Sequence, residues 1–426
     1  MKIKLNAETG KKLIYFQIIY NLIIKFAITV IGIPSFFNYV TDVVTIMLYL
    51  CCHKRIQRTL REASFQEFRI LILIYWVILS LTSLFNFVSP FLYIWAFRNT
   101  FRFLFFAEAC IVCLEKADID HIFDILVRFN YLNIVLSLYE YFVLGYSRDF
   151  LGGMFGTERG CNGALNLYFC IILIWVVINY TNKKINFFVL AITVISSLGI
   201  ATLAELKIFY IEFIIIVALS VFLSKPSFRN GLIIVGSIFG VVFALRLLAQ
   251  LFPLHYAVLT SSSNILSYFD AAGTGGYNIS RMHAFQDINN MFFHNNPLRN
   301  LFGFGFGSCE YSSVPIFISD FYKQNSTLNY RIFSHSMIFL ETGYVGFIGF
   351  IIILVYPIIF IIRYAKKYNI EKLYSNVVFI SVMILIISLW YNNSIKIEYA
   401  YMAYCILAII PVLIKEEKAA CKSTVV

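Results

Sequence analysis

Apolar runs of about 18–22 residues recur along almost the whole chain, each as long as a helix must be to cross a ~30 Å hydrocarbon core. They fall near 13–33, 35–52, 70–89, 91–114, 122–145, 163–180, 185–204, 206–224, 231–252, 333–362, 374–391 and 396–414. A water-soluble domain needs far more polar residues to cover its surface than a chain of 426 residues that is 60% hydrophobic and 13% charged can supply. The spacing predicts an all-α polytopic membrane protein, a single bundle over 1–426 with about 12 transmembrane helices. The first run follows KIKLNAETGKK, contains Asn21 and Lys25 and lacks a small-residue cleavage site. It therefore reads as an uncleaved span and not as a signal peptide.

Basic residues orient the bundle. Lys2, Lys4, Lys11 and Lys12, the cluster HKRIQRTLRE, Lys183 and Lys184, then KPSFR, RYAKKYNIEK and the tail KEEKAACK all fall in alternate connections. The opposite set carries fewer cations per connection. The positive-inside rule then predicts a multi-pass protein with both termini in the cytoplasm. The net charge of +11 is mostly this topological signal, so no nucleic-acid partner is expected. Among the nine cysteines, Cys51–Cys52 and CIVC (110–113) lie in or beside apolar helix without the Cys/His partners of a zinc site. No metal and no cofactor is expected. Cys161 and Cys309 are the two predicted outside the membrane, and a disulfide between them is one option there.

The rhythm breaks once, at 253–332, where the chain leaves the membrane on the outer side by this topology. Connections this long in compact proteins are functional or disordered. Here SRMHAFQDINNMFF (280–293) sets Met282, Phe285, Ile288, Met291 and Phe292 near helical spacing, and HNNPLRNLFGFGFGS ends that helix with Asn-Pro and a glycine-rich turn. The loop is expected to be an ordered cap over the bundle. His255, His283, His294 and His335 lie in it or at its end, beside Arg281, Arg299, Lys323 and Arg331. Arg148, Arg159 and Lys207 also face outward, and Arg246 sits about two turns below the outer end of its helix, within snorkelling reach. Arg98 and Arg102 share one helical face at i, i+4. Charges inside spans usually face a wet cavity or a partner. Together these residues predict a cationic basin open to the outside, suited to an anionic ligand such as a phosphate or pyrophosphate headgroup.

Plainer roles stand beside these. Arg98 and Arg102 would serve equally as bundle glue, paired with Glu108 or backbone carbonyls. Lys207 in TLAELKIFY sits at a tight turn, where an interfacial anchor is the simple reading and Glu205 neutralises it in part. GFGFG (303–307) lacks the strand–helix context and following Lys-Ser/Thr of a phosphate loop, so a flexible turn is expected. His283 and His294 read as ordinary loop histidines. His335 is placed differently, at the outer mouth of a helix, where an unburied imidazole with an ordinary pKa of ~6.5 accepts a proton near neutral pH. Ser334 and Ser336 flank it to orient the ring, and Glu341 lies about 240° further round the helix, off its face.

The order MFGTERGCNGALNLYF, AELKIFYIEFIIIVAL, SRMHAF, NNPLRNLFGFGFGS and SHSMIFLETGYVGFIGF, over about 150–360, resembles the O-antigen polymerase/ligase superfamily, with its Wzy-type polymerases and WaaL-type ligases. The resemblance implies a GT-C-like helical bundle and a metal-independent, inverting glycosyltransferase of the bacterial cytoplasmic (inner) membrane. Its substrate would be an oligosaccharide on undecaprenyl pyrophosphate, held in membrane lipid, with a flippase and a chain-length regulator as partners. His335 would be the catalytic general base. Arg281 would bind the pyrophosphate, joined by Lys207, Arg102 and Arg246, while Arg159, Glu205 and Glu341 are further substrate contacts. Lys207 stands where relatives often place arginine, and it lacks the bidentate fork. A polymerase making O-antigen or capsular polysaccharide is the leading expectation. A ligase acting on lipid A–core or protein is the first alternative, and a flippase or transporter of the same lipid-linked sugar is the second, though no internal repeat supports transport.

Overall fold

The computed structural model describes residues 6–260 and 279–423, and among these the secondary structure is helical throughout, with no strand. Every one of the twelve apolar runs coincides with helix. In chain order these are α1 (Ala7–Phe26), α2 (Val40–Glu62), α3 (Gln66–Phe85), α4 (Pro90–Cys113), α5 (Lys116–Phe142) and α6 (Asn162–Thr181). Next come α7 (Phe187–Leu203), α8 (Lys207–Leu223), α9 (Phe228–Leu251) and four short helices of the long loop: α10 (Pro253–Thr260), α11 (Ala284–Ile288), α12 (Pro297–Phe302) and α13 (Asp320–Asn325). The chain closes with α14 (Ser334–Tyr364), α15 (Lys372–Tyr391), α16 (Tyr401–Leu407) and α17 (Ile409–Ser423). Among the described residues, eight helices are long and apolar enough to cross a bilayer, and nine if the bent pair Glu398–Leu407 and Ile409–Cys421 forms one span. The protein is an all-α polytopic membrane protein.

Helix starts follow local chemistry. Asn6 accepts from Thr9 N at 2.9 Å to cap α1, Pro90 occupies the first turn of α4, and Glu115 with Asp118 forms a capping box on α5. Packing then sorts the helices. Every residue of α6 from Ala164 to Tyr180 is buried, so its all-round apolar surface makes it the central post. α9 lies outermost and leaves Phe239 and Phe243 exposed, as lipid-facing residues are.

Lys11 and Lys418, near the two ends of the described chain, lie at one end of the bundle. Lys11 pairs with Asp118 at 2.6 Å at the start of α5, and Lys418 Nζ reaches Ser64 Oγ at 2.6 Å in the α2–α3 turn. Lys415 donates to Ile111 O (2.8 Å) and Leu114 O (2.7 Å), satisfying carbonyls at the C-terminus of α4. Glu371, between α14 and α15, is held below the usual carboxylate range by its hydrogen bond from Lys116, with Lys184 adding to the effect.

At the opposite end the described part of the long loop is folded onto the bundle, around Ile279, Ile288, Phe293, Tyr330, Phe339 and Leu340. The helix expected over 280–293 begins at Ala284 and continues through a π-turn to Phe293, with Met282 51% exposed instead of packed. Residues 261–278 of the expected cap lie outside the described residues. GFGFG is neither a phosphate loop nor a loose turn. Gly343 breaks α14 with φ 60° and ψ −161°, a conformation open essentially to glycine, and Gly303 packs against the break. Phe304 N (3.0 Å) and Gly305 N (2.8 Å) donate to Leu340 O and Glu341 O, so the loop takes up backbone acceptors at the break. Cys161 and Cys309 are separate buried thiols: Cys161 donates to Asp149 O at 3.5 Å, while the Cys309 N–H donates to Glu341 Oε1 at 3.0 Å. The disulfide option is thereby overturned.

Candidate functional site: a cation-lined chamber

Four connections converge at the end of the bundle away from Lys11 and Lys418: 143–161, 204–206, 311–333 and 391–399. They enclose a cavity of about 1130 Å³. Its floor is a strap pinned from below. Glu140, buried on α5, accepts from Gly152 N (3.1 Å) and Gly153 N (2.6 Å), and Asn133 Oδ1 accepts from Met154 N (3.2 Å). Those bonds satisfy a buried backbone whose only helix is the single 3₁₀ turn Gly153–Phe155, and they deliver Phe155, Glu158 and Arg159 to the cavity. The α7–α8 turn adds Glu205, in left-handed backbone at φ 52°, and Lys207, only 8% exposed at the head of α8.

The far wall is organised by Tyr391–Ser394. Asn392 O accepts from both Ser334 N and Ser334 Oγ at 3.0 Å, and Asn393 Nδ2 donates to Arg331 O at 3.0 Å. The Arg281 guanidinium lies 4.9 Å from the Phe333 and Tyr391 ring centroids, with Nε 3.5 Å from Tyr391 O. This hub ties the loop arginine, the head of α14 and the tail of α15 into one wall.

The chamber is basic. Lys25, Arg148, Arg159, Lys207, Arg281 and Arg331 line it against Asp149, Glu158, Glu205 and Glu398. Three of those acids are paired: Glu158 with Lys25 (3.0 Å), Glu205 with Arg148 (2.9 Å), and Glu398 with Arg102 (3.2 Å) and Arg98 (3.7 Å). Burial pushes the Glu205 carboxyl above its ordinary value, and Arg148 and Lys207 oppose that shift. Such a surface binds anions, and its asparagines, serines and tyrosines supply hydrogen bonds for hydroxyl-rich groups.

Of the residues singled out in the sequence, Arg281, Lys207, Arg159 and Glu205 line the chamber together. Arg102 does not. It is 5% exposed, lies behind the wall over the Phe103 ring (4.6 Å) and bonds Asp42 (3.4 Å) and Glu398. Its partners are not Glu108, which faces Arg69 at 3.9 Å instead. Arg246 is exposed on α9 and is not among the chamber residues, because α9 packs peripherally. Glu341, 1% exposed, holds the loop around Cys309 and does not reach the cavity.

His335 corrects the expectation most directly. It is 0% exposed, not an unburied base at a helix mouth. The ring stacks on Trp390 (4.5 Å, 8°), Nε2 faces Arg281 O at 3.1 Å, and Nδ1 lies 3.4 Å from Leu389 O. It borders a second recess of about 440 Å³ with His283, Phe285 and Tyr344 and is not among the residues that line the chamber. The cause is coverage: the segment carrying Arg281 and Phe285 folds over the first turn of α14. The flanking serines hold backbone and not the imidazole, Ser336 Oγ donating to Phe333 O (3.0 Å) and Ser334 Oγ to Asn392 O. So residues 281 and 335 meet through a backbone carbonyl.

Lys25, Glu398, Asn392 and Ser394 were not singled out in the sequence. The signal was a polar cluster, YNNSIKIEY, across the junction of the last two apolar runs, and a lone lysine in the second half of the first. No protein-family model matches the chain, and no curated protein matches it.

Proposed function

We propose that the chain is a polysaccharide polymerase, joining oligosaccharide repeat units carried on undecaprenyl pyrophosphate at the outer face of a bacterial cytoplasmic membrane. The observation that carries this proposal is the basic surplus of one large chamber, set at the end of a membrane bundle and walled by loops. Its volume exceeds the few hundred Å³ that suffice for a drug-sized ligand and suits a sugar–pyrophosphate headgroup. In this reading α4, α7, α8 and the bent pair cross the membrane together with the eight helices already assigned as spans, making twelve in a GT-C-like bundle with both termini in the cytoplasm and the chamber outside.

The chemistry is a single displacement. The acceptor hydroxyl oxygen bonds to the anomeric carbon as the bond from that carbon to the pyrophosphate oxygen breaks, with inversion. Negative charge grows on the departing lipid pyrophosphate, and Arg281 and Lys207 stabilise it more than they stabilise the ground state. The hydroxyl proton passes to a base at the chamber surface. Because His335 Nε2 faces the Arg281 carbonyl, we assign His335 to holding that segment in place. Glu158 and Asp149, which line the chamber, are the nearer candidates for the proton. Reconstitution with purified lipid-linked repeat units, without nucleotide or divalent metal, tests the proposal. A ladder of polymer lengths is expected, and lipid that is moved across the vesicle but never joined would refute it.

A further inference from the structure

Arg331 takes no part in the scheme above, yet it lines the same chamber. Its guanidinium lies over a pair of tyrosine rings, 4.7 Å from the Tyr311 centroid and 5.1 Å from that of Tyr322, which are themselves 4.6 Å apart. Lys25 and Arg148 each carry a carboxylate partner, whereas Arg331 forms no ion pair among the described residues and its buried Nε has no hydrogen-bond acceptor. The setting is rigid. The Arg331 carbonyl is held by Asn393, the Tyr311 carbonyl accepts from Trp95 Nε1 at 3.0 Å, and Trp95 stacks on Phe317 (4.9 Å, 8°). A cation fixed on aromatic faces keeps its guanidinium edge for a ligand and has little rotamer entropy left to lose on binding.

We propose that Arg331 with Tyr311 and Tyr322 is a subsite that selects a carboxylate-bearing sugar, such as a uronic acid, within the glycan held in the chamber. The inference rests on the polymerase reading and names its substrate class. A planar carboxylate matches the guanidinium edge with two parallel hydrogen bonds, and the tyrosine rings hold the guanidinium that makes them. Arg281 and Lys207 stand on other segments and serve the pyrophosphate, so charge on the sugar and charge on the carrier are read separately.

The test uses the purified full-length protein in nanodiscs and three probes: undecaprenyl pyrophosphate alone, the same lipid bearing glucose, and the same lipid bearing glucuronic acid. The wild type should bind the glucuronic acid lipid about tenfold more tightly than the glucose lipid, the effect of one charge-assisted contact. Arg331→Gln should equalise the two and leave the sugarless lipid unchanged. Arg331→Lys, which keeps charge without the fork, should retain a smaller preference and serves if the glutamine variant does not fold. Lys207→Gln should weaken all three. A preference that survives Arg331→Gln, no preference in the wild type, or a sugarless lipid loosened by Arg331→Gln would overturn the subsite. A wild type that binds none of the three would instead count against the polymerase reading.

Discussion

Replacing His335 separates two roles that the sequence could not. His335→Ala removes the contact with Arg281 O at 3.1 Å, a bond worth about 1 kcal/mol. It also removes the stack on Trp390 at 4.5 Å, worth about 0.5–1.5 kcal/mol beyond area. A ring-sized cavity at a fully buried position adds to these, for a total of about 2–4 kcal/mol. His335→Gln restores an N–H donor toward the Arg281 carbonyl and fills part of the space. If the imidazole positions Arg281, the alanine variant loses thermal stability and most polymer formation. The glutamine variant then keeps a measurable rate with the wild-type pH profile. Fluorescence-detected unfolding in detergent and initial rates of ladder formation between pH 5 and 9 supply the readouts. A glutamine variant as inactive as alanine, with both as stable as wild type, would refute positioning and restore His335 as the base.

Other expectations follow from the packing. Gly343→Ala forces a side chain into φ 60° and ψ −161° and sets its Cβ within 2.4–2.5 Å of the Leu301 backbone, so a loss of about 3–5 kcal/mol is expected by thermal unfolding. Glu398→Ala leaves the buried Arg102 with Asp42 alone at 3.4 Å and should cost about 3 kcal/mol. Combining it with Arg102→Met should recover part of that loss, and a double variant worse than the single would refute the pairing. Glu371 has its carboxyl lowered by Lys116 and Lys184, so its contribution is present above the unfolded-state carboxylate pKa and fades as pH falls through the lower folded value. The pair is half exposed, so the contribution is below about 1 kcal/mol, and the unfolding curves of Glu371→Gln and wild type should converge on acidification.

The sequence carried the helices well, because a bilayer-length apolar run leaves little freedom in how its backbone is satisfied. Lys207 and Arg281 were traceable to one end of the bundle by alternation alone. What escaped depends on contacts between distant segments. Arg102 looked like a basin residue because nothing local shows that Asp42 and Glu398, far away in the chain, close around it. The position of His335 at a helix start says where its backbone lies, not that residues 281–285 fold over it. Nor does anything local show that α14 breaks at Gly343, in a conformation open essentially to glycine, with Gly303 matched to it across the contact. Arg246 was assigned by depth, and depth along a helix does not reveal that α9 stands at the rim.

Whether the chamber holds the pyrophosphate end of a lipid-linked glycan can be read from an electron cryomicroscopy map of the full chain in nanodiscs saturated with undecaprenyl pyrophosphate. Density for the two phosphates within hydrogen-bond reach of Arg281 and Lys207 is predicted. An empty chamber at saturating lipid, or phosphates lodged at the end carrying Lys11 and Lys418, would contradict it.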